Sequence, residues 1–286
     1  MRIDLHAHTT ASDGTDSPAE LVRGAVAAGL DVLAITDHDT VGGWERAAEA
    51  VAELPAGTSF TLIPGAEISC RLGGVSLHLL GYLFDPVEPR FAEVRRKVRA
   101  SRVHRAELIV ERCRELGAPI TWEQVRRIAG TGAVGRPHVA SALVEAGVVP
   151  DVSAAFTAEW LADGGRAHVE KLELDPAQAI ALIRGAGGVA VFAHPGAVGR
   201  GRTVTDEAIA ELAAQGLAGV EVDHMDHDEE TRKRLRALAG ELGLLVTGSS
   251  DYHGTRKTVR LGDYLTEEGE YRQLVERAGG TSPVTR

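Results

Sequence analysis

The sequence predicts an α/β barrel interrupted by a helical insertion, and three observations carry that expectation. Short apolar runs of strand length alternate with amphipathic helical stretches, the pattern of βα units around a parallel sheet. The alternation stops between about Val87 and Gly165, where the periodicity is helical throughout, and then resumes. His, Asp and Glu recur where the strand-like runs end, which is where α/β barrels carry their chemistry. At 286 residues, with 44% hydrophobic and 25% charged, the chain is long enough for a barrel carrying an insertion.

The elements follow in order. Ile3–His8 reads as the first strand. Ser17 is an N-cap, Pro18 sits at the first helical position, and a helix through Leu21, Val22, Ala25 and Val26 closes at Gly29. A second strand, Val32–Thr36, leads into Asp37-His38-Asp39, and a helix runs from about Val41 to Leu54. The third strand runs from Phe60–Ile63 to Gly65-Ala66-Glu67, and the fourth is Val75–Phe84, with His78 inside it. After Asp85-Pro86 come amphipathic stretches at Phe91–Leu116, Trp122–Ile128, His138–Ala146 and Val152–Leu161. This is the most basic part of the chain, with Arg95, Arg96, Lys97, Arg99, Arg102, Arg105 and Arg136. Ala167-His168-Val169 is expected to start a strand, followed by a helix over Pro176–Arg184. Strands at Val189–Ala193, Gly219–Val222 and Leu244–Thr247 then alternate with helices from Asp206 and Asp228. The polar tail after Glu270 is expected to fray at its end. The domain organisation predicted is a barrel of residues 1–86 and 166–286 with a helical, substrate-binding insertion at 87–165.

A net charge of -10 argues against a broad duplex-DNA footprint, though not against a small phosphorylated substrate held by a few local cations. Cys70 and Cys113 are far apart and in no metal or redox spacing, which suits a reducing cytosol. Asp4, Asp13 and Asp16 stand where a signal peptide needs apolar residues, and no apolar run has membrane-spanning length. A soluble cytoplasmic protein is therefore expected, with the oligomeric state left open.

His6 and His8 are two residues apart on a strand, so their side chains leave the same face. Imidazole is the commonest side-chain metal ligand, and this pair is a chelate in waiting. Later strand ends repeat the pattern with His38, Glu67, His78 and His194, and with Asp251 and His253, again at two-residue spacing. Asp13, in the loop after the first strand, can fold back over the same mouth. So dense a cluster of ionisable groups needs partners, and several metal ions would satisfy it, with Glu67 able to bridge two. His104 and His227 are expected on solvated helix faces, and His168 at the start of a strand.

These residues resemble those of the polymerase-and-histidinol-phosphatase (PHP) family of metal-dependent phosphoesterases. The matching segments are His6-Ala7-His8, Ser12-Asp13-Gly14, Thr36-Asp37-His38-Asp39, Gly65-Ala66-Glu67, His78, Ala193-His194-Pro195 and Ser250-Asp251-Tyr252-His253. The resemblance implies a distorted, TIM-like (β/α)7 barrel with three metal ions at its mouth. His6, His8, Glu67 and Asp251 would hold one, Glu67, His78 and His194 the second, and Asp13, His38 and His253 the third. Nitrogen and oxygen donors of this kind suit Mn, Zn or Fe, and Mn is the expected ion.

Within the family, Ala133-Val134-Gly135-Arg136-Pro137-His138-Val139-Ala140 and Leu143–Gly147 resemble one subgroup. Its members dephosphorylate nucleoside 3′,5′-bisphosphates and trim short RNA from the 5′ end. That resemblance implies Arg102, Arg105, Arg136, His138, Lys171 and His224 as substrate-binding residues, although the family more often has Pro before the Lys where this chain has Glu170. His38, Arg136 and His224 are expected to serve the chemical step. An acidified, metal-bridging water would attack phosphorus while Arg136 neutralises phosphoryl charge, and His224 is the candidate proton donor. The alternatives are a phosphodiesterase on a cyclic sugar phosphate, a histidinol-phosphate-type phosphatase, and a non-catalytic metal-binding module. An amidohydrolase, which also begins with His-x-His, usually holds a modified Lys on a middle strand, and Val75–Phe84 contains no Lys.

Overall fold

The computed structural model describes residues 1–130, 134–197 and 202–286. Ala133, the first residue of the subgroup-like run, lies outside the described residues. The chain forms two compact units, Met1–Val94 with Glu173–Arg286, and Arg95–Leu172.

In the first unit, seven strands among the described residues pair in chain order: β1 (Ile3–Asp4), β2 (Val32–Ile35), β3 (Thr61–Leu72), β4 (Val75–Tyr82), β5 (Val189–Ala193), β6 (Gly219–Asp223) and β7 (Leu245–Gly248). A parallel bridge joins Ala7 to Tyr252, and the His8 amide donates to the Tyr252 carbonyl at 2.8 Å. The sheet thus nearly closes into a barrel. β2 and β5 are apolar and buried along their whole length, as strands covered on both faces must be.

Helices α1 (Pro18–Ala27), α2 (Trp44–Ala52), α6 (Pro176–Gly185), α7 (Asp206–Ala214), α8 (Glu229–Leu242) and α9 (Glu268–Arg277) belong to this unit, while α3 (Pro89–Glu115) begins in it. Ser17 and Glu20 form the capping box that starts α1. Asp175 and Asp228 cap α6 and α8 through their side chains.

The expectation of an all-parallel sheet is corrected at β4, which runs antiparallel to both β3 and β5. The cause is local. Gly73 and Gly74 both take positive φ, 55° and 78°, which gives the two-residue turn that joins antiparallel strands. The frayed tail is also corrected. Residues Glu268–Arg277 form α9, and β8 (Val284–Thr285) pairs antiparallel with β3 at Thr61 and Leu62.

The second unit holds the rest of α3 with α4 (Trp122–Ala129) and α5 (Arg136–Glu145), packed through Ile109, Val110, Cys113, Val125, Val139 and Leu143. The helix expected over Val152–Leu161 is a single 3₁₀ turn at Ser153–Ala155. The Leu161 amide reaches back to the Ala155 carbonyl at 3.0 Å, so the chain folds on itself rather than continuing to coil. The strand expected at Ala167-His168-Val169 is absent among the described residues. The His168 amide instead closes a turn on the Gly165 carbonyl at 2.9 Å. Among the described residues, no helix is long and apolar enough to cross a membrane.

Candidate metal centre

At the end of β1 the two-residue alternation turns His6 and His8 to one side, both fully buried, and packs Ala7 into the apolar layer on the other. The following loop is tied down by Asp37, whose carboxylate accepts from the Thr9 amide (2.8 Å), the Thr9 hydroxyl (2.7 Å) and the Ser12 hydroxyl (2.6 Å). Gly14 permits the tight return, because a Cβ there would lie 2.5 Å from the His8 carbonyl oxygen. Asp13 is thereby brought to His8 and His253, with Oδ1 3.5 Å from each, and to His38, with Oδ2 at 3.8 Å.

Glu67, buried on β3, is the hub. Its Oε1 lies 2.8 Å from His78 Nδ1 and 3.1 Å from His194 Nε2. Its Oε2 lies 3.0 Å from His38 Nδ1, 3.2 Å from His8 Nε2 and 3.4 Å from His6 Nε2. Burial opposes its ionisation, but the facing His78, His38 and His6 outweigh that and hold the carboxyl well below the usual range. The reversed β4 explains His78. A strand running against its neighbours delivers its early residues, not its late ones, to the end where the parallel strands finish.

Three groups of ligand atoms converge: His6, His8 and Asp251; His38, Glu67 and His78; and His8, Asp13, His38 and His253. Within the first, His6 Nε2 and His8 Nε2 are 3.0 Å apart, and each is 3.4 Å from Asp251 Oδ1. Bonds of about 2.1 Å to one ion separate neighbouring donors by about 3.0 Å in an octahedron and about 3.4 Å in a tetrahedron. The donor set therefore fits a metal ion. All nine residues expected as ligands from the sequence come together here.

Two of them carry unusual backbone. His194 has φ 32° and Asp251 φ 51°, in the left-handed region that non-glycine residues rarely occupy. Strain of this kind gathers at functional sites, where the surrounding structure enforces it.

His224 is buried against the same cluster, with Nε2 3.3 Å from Asp251 Oδ2. Its Nδ1 accepts from the Asp226 amide at 3.0 Å, so in the neutral ring the proton is on Nε2. His227, expected on a solvated helix face, is instead buried. Its ring is closed off between the Gly196 amide (3.0 Å) and the Val222 carbonyl (2.8 Å), and burial lowers its proton affinity. His104 is exposed, as expected.

The sequence reading missed two charged groups here. Lys257 places Nζ 2.5 Å from Asp251 Oδ2. Glu221, fully buried in β6, contacts His6, and the readable signal was a lone carboxylate inside the apolar run Val220-Glu221-Val222.

The remaining expected substrate residues are in the second unit. Arg136, at the start of α5, donates to Asp163 Oδ1 at 2.6 Å and to the Leu161 carbonyl at 3.0 Å. Arg105 Nε donates to the Val169 carbonyl at 2.6 Å. His138 is buried, its Nδ1 accepting from the Gly135 amide at 3.0 Å as a cap on α5. Arg102 and Lys171 are half-buried. Asp163 gathers charge from Arg136, His168 and Arg105, which outweighs burial and holds its carboxyl below the usual range.

Residues 4–118 match the PHP domain. The chain is 34% identical over 264 residues to a 5′-3′ exoribonuclease of Haemophilus influenzae, covering 92% of this chain and 94% of that protein. It is also 34% identical to a 3′,5′-nucleoside bisphosphate phosphatase of Chromobacterium violaceum, covering 88% of this chain and 87% of the other. Among solved structures, a protein of Bifidobacterium adolescentis, proposed to be a metal-dependent phosphoesterase, superposes with a TM-score of 0.90 at 38% identity, covering 97% of this chain and 96% of its own.

Proposed function

Since the chain belongs to the PHP family of metal-dependent phosphoesterases, we propose that it removes the 3′-phosphate of nucleoside 3′,5′-bisphosphates and trims short 5′-phosphorylated RNA. One observation carries this reading. The similarity to the bisphosphate phosphatase covers 88% of the chain, more than the barrel unit alone could supply. A nucleotide substrate and two buried cysteine thiols suit a cytoplasmic enzyme.

In this reading His6, His8, Glu67 and Asp251 would hold one ion, Glu67, His78 and His194 a second, and Asp13, His38 and His253 a third, with Mn preferred over Zn or Fe. When bound, such ions supply a water nucleophile acidified toward neutral pH and positive charge for the phosphoryl oxygens. Glu67 keeps its two oxygens turned to different groups of imidazoles, and Asp13 holds the loop carboxylate against His38 and His253. Arg136 presents a planar fork to phosphate. Arg102, Arg105, His138 and Lys171 complete the recognition of phosphate and sugar. His224, with its Nε2–H turned into the cluster, donates a hydrogen bond that steadies the departing ribose oxygen.

The test is phosphate release from a panel of nucleoside 3′,5′-bisphosphates, short 5′-phosphorylated RNAs and a cyclic sugar phosphate, with Mn, for the parent and His38→Ala. Release from bisphosphate well above the variant's supports the proposal. A parent rate equal to the variant's on every substrate removes it, and preference for the cyclic phosphate would make the enzyme a phosphodiesterase.

A further inference from the structure

We infer that Glu221 is a positioning residue of the metal centre, one carboxylate that sets both the ring of His6 and the backbone of His194. The inference rests on the metal-dependent reading above and adds a residue outside the three converging ligand groups.

The period of two along β6 sends Val220 and Val222 to one side and Glu221 to the other, where it is fully buried. Its Oε1 lies 3.1 Å from His6 Nδ1 and also accepts from the Ser249 hydroxyl, two residues before Asp251. Its Oε2 accepts from the His194 amide at 2.8 Å. An ionised carboxylate only accepts, so a neutral His6 ring carries its proton on Nδ1. The Nε2 lone pair then points at His8 Nε2 (3.0 Å), Glu67 Oε2 (3.4 Å) and Asp251 Oδ1 (3.4 Å). With the other tautomer, an N–H would point into that group and ligation through Nε2 would be blocked.

At His194 the same carboxylate works on the main chain. The residue sits at φ 32°, and its amide is anchored on Glu221, while its Nε2 reaches Glu67 Oε1 at 3.1 Å. β1 and β5 are not neighbours in the sheet, so Glu221 ties together two ligand-bearing strand ends that share no ladder. Carboxylates that receive the second N–H of a ligating imidazole fix its tautomer and orientation. Their loss typically costs about 10- to 100-fold in metal affinity.

The experiment measures Mn affinity by competition with a chromophoric chelator, and the tautomer of His6 by ¹⁵N imidazole shifts, in the parent and in Glu221→Gln. The amide cannot accept from all of the donors that Glu221 now satisfies. We expect binding weakened by about 10- to 100-fold, together with an increased Nε2–H population at His6 in the metal-free protein at a pH high enough for the ring to be neutral. A purely structural acid would lower the melting temperature without moving the His6 shifts. Parent-like affinity and unchanged shifts in a folded Glu221→Gln overturn the inference and leave the metal-dependent reading standing. A parent that binds no Mn overturns both. Should Glu221→Gln fail to fold, Glu221→Asp, which keeps the charge but withdraws it by one methylene, carries the same expectation and the same refutation.

Discussion

The imidazoles of His8 and His253 lie stacked with their centroids 4.0 Å apart, and their surroundings drive them in opposite directions. Burial works against a charge on His8, yet Asp251, Glu67 and Asp13 overcome it and lift the ring to about 9. Burial and the neighbouring His8 push His253 down to about 3. Two rings this close are not both cationic, and the carboxylates around them leave the cluster arranged to take positive charge from outside.

Metal loading should therefore stabilise the fold. A ligand at 100 times its dissociation constant adds about 2.7 kcal/mol per site, which for a chain of this size raises the melting temperature by about 4 to 5 °C per site. Thermal melts of chelator-dialysed protein with and without Mn check this. Superimposable curves would count against a metal centre.

Glu67→Gln should be the most damaging change at the mouth. It removes the one acid that faces His6, His8, His38, His78 and His194. We predict fewer bound metal ions by elemental analysis and a loss of phosphatase activity beyond the roughly 100-fold typical of supporting residues. Full metal stoichiometry in the variant would refute this.

Asp163 gives a pH signature. Its carboxyl is depressed when folded, so its stabilising effect is fully present above the ordinary carboxylate range and is lost as pH falls through the folded value. The side chain is 71% exposed, which limits the effect to under about 1 kcal/mol. Denaturant unfolding of the parent and Asp163→Asn should differ near pH 7 and converge only once the pH has fallen below the ordinary carboxylate value and through the depressed folded one. A difference that grows on acidification would contradict the assignment.

Cys70 and Cys113 should resist alkylation in the native protein. Both are fully buried, and burial pushes the Cys113 thiol up to about 11, leaving little thiolate at pH 8. Mass spectrometry after iodoacetamide should show no adducts without denaturant and two with it. Rapid native labelling of Cys113 would show an open second unit.

Much of this was legible because strand-end residues are specified by short motifs. The spacing of His6 and His8, or of Asp251 and His253, fixes a shared face without any knowledge of topology. The direction of β4 was not read, although Gly73-Gly74 between two apolar runs is the expected hairpin signal. Counting βα units concealed it. Glu221 escaped for a different reason. Its role depends on which strand ends meet it across the barrel, and nothing local in Val220-Glu221-Val222 announces His6 or His194. The Val152–Leu161 segment has helical apolar spacing, but its amides close wider local loops, such as Leu161 to Ala155, in place of the i to i−4 bonds a helix needs.

The turn at Gly73-Gly74 has one more consequence. His78 stands opposite Ser69 on one side and Ala193 on the other, while Glu173 clasps both limbs of the hairpin through Arg71 Nε (2.8 Å) and the Ser76 hydroxyl (2.8 Å). The distance along the chain from bend to imidazole is thus a gauge. Slide the returning limb by a single position and Leu77 or Leu79 would face Glu67 in place of the histidine, so the length of this bend decides whether the imidazole arrives at all.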